Sequence, residues 1–297
     1  MRPALPRLCL PARAALCVVA VATFARAETA PSGWKAYRGS VARDGDAEED
    51  DEAPVVIGTA APRLARQQPD ARARTTGGAE LDLSARHLWR GIATSRGAVV
   101  EPSGWIARRG LVLAGSATVG LNDGPASRDA LLEPSMRYEL PIGGLRVEPA
   151  LTSYWLPNRA GDTTFEASLE LAIAIGEARL TSVSYVDVAK RAGAYFGTVG
   201  VEQTHALSPS LRARWFADVG VANAAFNRAY LDTDAHAVNV VELGASLRTE
   251  LGDALFVSFH SELSNFVAPS LRRWAERPGG GGEKALVNGG VTLGVEL

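Results

Sequence analysis

The segment Phe259-His260-Ser261-Glu262-Leu263-Ser264-Asn265 brings together a histidine, a carboxylate and two serines, the groups that cleave acyl esters by nucleophilic attack. Its spacing works against that chemistry. In an extended chain His260, Glu262 and Ser264 share one face, while Phe259, Ser261 and Leu263 take the other. If the apolar face meets lipid, the histidine and Ser264 point away from any membrane ester. Lipid hydrolysis is therefore the weakest of the functional readings, and no catalytic residue is assigned.

The other candidate chemistry is thinner. His87, His205 and His236 have no second ligand at metal-binding spacing. Asp232, Asp234 and His236 alternate in one loop, which reads as a solvated tip. The acidic block Asp44–Glu52 lacks the glycine turn and ligand spacing of a calcium loop. The glycines form no phosphate-binding fingerprint. Cys9 and Cys17 lie in the leader, so the mature chain has no disulfide or thiolate chemistry. No cofactor and no metal are expected. There are 33 acidic and 31 basic residues, and Arg2, Arg7, Arg13 and Arg26 leave with the leader. A mildly acidic chain without a basic cluster excludes nucleic acid as a partner.

What remains is a set of charges spaced by two, alternating with apolar residues. Asp82, Arg86 and Arg90 share a face of the first strand; Glu133, Arg137 and Glu139 share one of the fourth; Glu166 and Glu170 share one of the sixth. Arg212, Arg214 and Asp218 follow on the ninth, Glu242 and Arg248 on the tenth, and His260 and Glu262 on the eleventh. The alternate positions are apolar, as in Leu111, Leu113, Val119 and Leu121, or Leu169, Leu171 and Ile173. An arginine at a bilayer midplane costs roughly 2–4 kcal/mol, so the charges are expected to line a lumen and the apolar set to face lipid.

The elements that carry these residues are strands. The alternation predicts twelve, at 79–92, 98–108, 111–122, 130–140, 145–156, 164–175, 179–188, 195–205, 211–222, 238–250, 254–266 and 285–297. Connections alternate in length. Arg109-Gly110, Gly176-Glu177, 141–144, 207–209 and 251–253 are tight, whereas 123–129, 157–163, 223–237 and 267–284 are long and polar. Short turns on one side and long loops on the other belong to outer-membrane barrels. The expected fold is an all-β transmembrane antiparallel barrel. An even strand count puts both termini on the short-turn, periplasmic side. Trp89, Trp155, Phe165 and Tyr195 then form an aromatic girdle at the loop end, with Tyr138 at the opposite rim. The competing fold is a soluble sandwich with the same aromatics in its core, which exported β-domains often brace with disulfides this chain lacks.

Residues 1–27 read as a cleaved signal peptide: a basic start, an apolar stretch over 14–24 and the small-x-small site Ala25-Arg26-Ala27. Residues 28–78 combine the acidic block, scattered arginines and prolines with little apolar surface, the composition of a disordered tail. Residues 79–297 make the barrel. This organisation implies a Gram-negative outer membrane, with its lipid and the barrel-assembly machinery as partners.

Leu81-Asp-Leu-Ser-Ala-Arg-His-Leu-Trp-Arg-Gly-Ile92, then Thr94-Ser95 and Glu101-Pro102-Ser103, resemble the opening of outer-membrane porins of the TorF type. Glu133-Pro134-Ser135 repeats the last motif. The resemblance implies a barrel of unassigned solute and brings no catalytic residues. Two features depart from the family: the long acidic tail and a terminal Leu297 where phenylalanine is usual. The expected function is a porin-like channel for small polar solutes. The alternative is a closed barrel with a structural or surface-interaction role, its loops at 223–237 and 267–284 making the contacts.

Overall fold

The computed structural model describes residues 75–95, 97–121, 130–157, 163–276, 283 and 285–297. The leader, nearly all of the tail, and parts of the loops at 123–129, 157–163 and 267–284 lie outside the described residues.

Antiparallel pairing runs without a break around a closed sheet. Strand β1 (Thr76–Ser84) lies between β4 (Val99–Arg108) and the C-terminal β15 (Ala285–Glu296). Strands β5 (Leu111–Gly120) and β6 (Leu131–Tyr138) continue from β4. In the other direction β14 (Leu255–Phe266), β13 (Ala237–Glu250), β12 (Leu211–Ala222), β11 (Tyr195–Ser208), β10 (Ala178–Asp187), β9 (Thr164–Ile175) and β8 (Leu145–Tyr154) follow β15. Pairing of β6 with β8 closes the ring. The short β7 (Leu140–Ile142) continues β6 in the same register against β8, so the barrel has twelve strands. The ladder is interrupted opposite Pro149, which has no N–H to give.

Period-two patterning decides the faces. On β5, Leu111 and Leu113 are exposed while Val112 and Thr118 are buried. On β14, Leu255, Phe259 and Leu263 are exposed and Phe256 and Ser264 buried; on β15, Val287, Val291 and Leu293 are exposed and Leu286 and Asn288 buried. Exposed Leu81, Ile106, Met136, Leu151, Val219, Leu243 and Leu247 extend this apolar surface around the ring. A continuous greasy belt on a closed barrel is a hydrocarbon-facing surface, far beyond the scattered apolar patches of a soluble monomer. Most of the wall's apolar side chains therefore lie outside a closed ring, which removes the sandwich alternative.

Two sequence expectations need correction. The sequence predicts a first strand over 79–92, but β1 ends at Ser84, and residues 86–95 leave the wall. Within them β2 (Leu88–Trp89) and β3 (Ile92–Ala93) form a two-residue hairpin. Its turn residues Arg90 and Gly91 have φ of 51° and 83°, the left-handed pair that suits the twist of a tight hairpin. Arg109-Gly110 makes the same kind of turn between β4 and β5, with φ of 51° and 86°. Alternation alone does not distinguish a strand that stays in the wall from one that stops and folds inward. Second, the loops expected to be merely long and polar contain helices: α1 (Ala224–Leu231) after β12 and α2 (Pro269–Ala275) after β14.

These three inserts build the main apolar core. Trp89 and Ile92 from the hairpin, Phe226, Tyr230 and Leu231 from α1, and Leu271, Trp274 and Ala275 from α2 pack with Phe196, Val240 and Phe266 of the wall. All of them come from the long-connection side. The core is a plug set in that mouth of the barrel.

Candidate functional site: a charged lumen beneath an apolar plug

The plug is fastened at one point by a buried ion pair. Arg90 Nη1 donates to Glu166 Oε2 at 2.9 Å and Nη2 to Oε1 at 2.6 Å, while the Tyr154 hydroxyl donates to Oε1 at 3.1 Å. The guanidinium also lies over Tyr185 at 4.3 Å, Trp89 at 4.6 Å, Phe196 at 5.0 Å and Phe226 at 5.7 Å. Burial by itself lowers the Arg90 pKa. The Glu166 carboxylate beside it outweighs that and raises it, so Arg90 stays charged. Gly91 is required twice over: a Cβ there would stand 2.7 Å from Val240 Cγ2, and its φ is left-handed.

Helix α1 is seated by its cap. Asn223 Oδ1 accepts from Phe226 N at 2.8 Å and Tyr195 N at 3.0 Å, and its Nδ2 donates to Gly193 O at 2.8 Å. Asn227 and Asn239 exchange side-chain hydrogen bonds beneath it. Burial pushes the Tyr230 phenol up to about 12, against the opposing pull of Arg191 and Arg90.

Below the plug the lumen holds a cavity of about 470 Å³, lined by inward side chains of nine strands and by the underside of the hairpin. Its walls differ in charge. On β10 to β13 Arg179 and Arg214 converge on one carboxylate, Glu202, at 2.8 and 2.6 Å. Arg212 and Arg248 reach Glu250 at 3.6 and 3.0 Å, and Arg248 also reaches Glu296 at 2.8 Å. On β1 and β4 stand Glu80, Asp82 and Glu101. Among the described residues the partners of Asp82 and Glu101 are hydroxyls and imidazoles. Ser84 and Thr292 donate to Asp82, His260 Nδ1 lies 3.5 Å from it, and Glu101 meets Thr118 at 2.8 Å and His87 Nδ1 at 2.6 Å.

Of the charged residues read from sequence, Asp82, Arg86, Arg90, Arg212, Arg214, Glu242, Arg248, His260 and Glu262 line this cavity. Arg86 and Arg90 reach it from the infolded segment and not from a strand. Arg86 also pairs with Glu283 at 3.2 Å. Glu166 and Asp218 are buried, Glu166 under the plug and Asp218 against Gly200. On the β6–β9 arc the lumen is filled by ion pairs. Arg146 reaches Glu170 at 2.5 Å and Glu148 at 3.7 Å, Arg137 reaches Glu148 at 3.8 Å, and Glu133 is buried nearby. Glu139 falls at the break between β6 and β7, beside the tight turn at Gly110.

The five aromatics divide. Trp155, Phe165 and Tyr138 are exposed on the outer surface. Tyr195 starts β11 but is buried, its hydroxyl 3.3 Å from Ser184 Oγ on the neighbouring strand, so it departs from the expected exposed girdle. Trp89 is a correction: it is fully buried against Phe226 and Tyr230, in the plug and away from lipid. The sequence reading missed Glu80, Glu101, Arg179 and Glu202 of the cavity; each has the right parity on its strand, and no signal beyond charge marked it.

The serine–histidine pairing expected least is also absent in space. Four residues of strand span about 13 Å, and Ser264 lies next to Gly91 under the hairpin with no hydrogen-bond partner. His260 instead meets Ser84, whose Oγ is 3.2 Å from Nε2. Ser84 is buried and already donates to Asp82, so this trio holds wall to wall and presents no free hydroxyl. Among the described residues no group of three His, Cys, Asp or Glu side chains is placed to hold a metal ion.

No protein-family model matches the chain, and no curated protein matches it. Solved structures do. It is similar to the NanC porin at 9% identity and TM-score 0.45, over 73% of this chain and 98% of that one. It is similar to the KdgM porin, solved in complex with disordered oligogalacturonate, at 8% identity and TM-score 0.41, over 74% and 97%. An outer membrane channel from Pseudomonas putida F1 matches at 9% identity and TM-score 0.39, over 78% and 100%. At these scores the likenesses stand beside the strand pairing above, which carries the fold by itself.

Proposed function

We propose that the protein is a small porin-like channel of a Gram-negative outer membrane, passing small polar solutes through a lumen whose loop-side mouth is stoppered by a movable plug. The observation that carries the reading is the cavity of about 470 Å³ lined by charges of both signs inside an apolar-belted ring. A barrel needing only structural filling gains nothing from leaving that space, since removing buried charges from water is costly unless they are fully paired. The TorF-type resemblance of residues 81–103 supports the same assignment, as does export by a leader. The periplasm then receives both termini, and the plug faces outward. Planar-bilayer recording on the purified, folded protein tests it. Stepwise currents are expected, with brief openings while the plug is intact. No current above the lipid background, with or without the plug, removes the transport claim.

A second reading is favoured by the plug itself. Thirteen buried residues seal one end, as a closed barrel with a surface-contact role would require. On that reading α1 and α2 are contact elements. Deleting 224–231 or 269–275 abolishes partner capture, leaves insertion intact and opens no current.

A further inference from the structure

The cavity beneath the plug carries Asp82 and Glu101 on one wall and Arg212 and Arg214 on another, with Arg86, Arg90, Glu242 and Glu262 also in its lining, and that placement selects a ligand class. On one side Asp82 accepts from the Ser84 and Thr292 hydroxyls with His260 Nδ1 3.5 Å away, and Glu101 accepts from Thr118 and meets His87 Nδ1 at 2.6 Å. Among the described residues neither has a guanidinium or ammonium partner. His87 is buried and its Nε2 has no hydrogen-bond partner, although Nδ1 is committed to Glu101. Nε2 is thus a ring nitrogen open to a polar group of a bound solute. On the other side two guanidiniums share one carboxylate at Glu202, and two more share Glu250. Arg212 holds its partner at only 3.6 Å and is half exposed. Its donors, like those of Arg214, exceed the acceptors around them, because each guanidinium carries five N–H groups.

We infer that this cavity binds a small zwitterion, its ammonium toward Asp82 and Glu101 and its carboxylate toward Arg212 and Arg214. A neutral solute leaves both sets of groups as they are. An anion satisfies the arginine wall and is repelled by Asp82 and Glu101, and a simple cation meets the reverse. Only a solute with both charges answers both walls. The volume of about 470 Å³ sits at the small end of ligand pockets, which suits a molecule of one or two amino acids in size. The inference rests on the lumen being the functional site, and it names what the lumen holds.

The test is equilibrium binding to the folded barrel in detergent, read by titration calorimetry with three probes of equal length: 6-aminohexanoate, hexanoate and hexylamine. The zwitterion is expected to bind at least tenfold more tightly than either singly charged probe, a difference of about 1.4 kcal/mol. Asp82→Asn with Glu101→Gln brings it down to the level of hexanoate, and Arg212→Gln with Arg214→Gln down to that of hexylamine. Heat-modifiable migration reports whether each variant is folded. Should a pair fail to fold, the wild-type preference must still collapse as salt is raised, since screening weakens both contacts. Equal affinity for the three probes, or no saturable binding of any, overturns the inference. A current without zwitterion preference leaves the channel standing and sinks the ligand; zwitterion binding without current does the opposite.

Discussion

The Arg90–Glu166 pair gives the sharpest prediction about the plug. Both side chains are buried, so deleting one partner leaves an uncompensated charge and costs about 3–5 kcal/mol. Arg90→Ala strands Glu166 with only the Tyr154 hydroxyl, and also strips a cation from four aromatic rings. If the pair holds the hairpin down, that free energy raises the undocked population by roughly a hundred- to thousandfold, at about 1.4 kcal/mol per decade. In a chain begun at residue 28, which leaves out Cys9 and Cys17, Ile92→Cys supplies a unique thiol at a site that is 1% exposed. Its maleimide labelling rate then tracks hairpin opening. Labelling should accelerate by two to three orders of magnitude when Arg90→Ala is added, and channel open time should rise with it. Arg90→Gly separates the causes, because it relieves the left-handed backbone at φ 51° yet still loses the ion pair. Replacing both partners by apolar residues, Arg90→Met with Glu166→Leu, should return labelling close to the parent rate. Unchanged labelling in Arg90→Ala refutes the reasoning and leaves the apolar core as the only restraint on the hairpin.

Three further outcomes follow from the same geometry. Gly91→Ala places a Cβ against Val240 at a left-handed φ and should loosen the hairpin by about 1–3 kcal/mol, visible as faster Ile92→Cys labelling with no change in barrel insertion. Leu113→Arg, on the exposed belt, should cost about 2–4 kcal/mol of folding free energy into liposomes, whereas Ser116→Arg, on the cavity wall of the same strand, should cost far less. Tyr230 has its pKa raised from 10.0 to about 12, so its contribution is complete below pH 10 and is lost as pH climbs toward 12, about 3 kcal/mol in all. Labelling corrected for thiolate content should rise across that window, and Tyr230→Phe should flatten it.

How much of this was legible in the sequence follows from what alternation encodes. A wall strand must satisfy hydrocarbon on one face and the lumen on the other, so Leu111, Leu113 and Val119 against Val112, Ser116 and Thr118 carry the assignment in their order alone. The same constraint recurs on every strand, and it recovers twelve strands and the inward direction of Arg212, Arg214, Glu242, Arg248 and His260. His87 to Ile92 obey no such rule. They are buried, and Trp89 looks outward-facing by parity while being packed inside. The signal was present in a different form: Arg90-Gly91 is the same dipeptide as Arg109-Gly110, and both need a left-handed pair of residues. In Arg90-Gly91 the turn is concealed because Trp89 keeps the parity of Leu81, Leu83 and Ala85, so the outward apolar pattern runs past Ser84 to the turn itself.

By alternation alone Trp89-Arg90-Gly91-Ile92 reads as the end of a wall strand. In this fold the four residues are a stopper. The tryptophan supplies apolar mass, the arginine a charge that Glu166 can hold, the glycine the close approach to Val240, and the isoleucine a second buried anchor. An apolar plug fastened by one ion pair differs in kind from a plug that is apolar throughout. Breaking that one contact from either side leaves an uncompensated buried charge, while the apolar core around it and the belt on the outer surface are untouched. The hairpin also supplies Arg86, His87 and Arg90 to the cavity beneath it. A solute in that cavity would lie against those three side chains, and a difference in its affinity between docked and undocked plug is what would couple occupancy to opening.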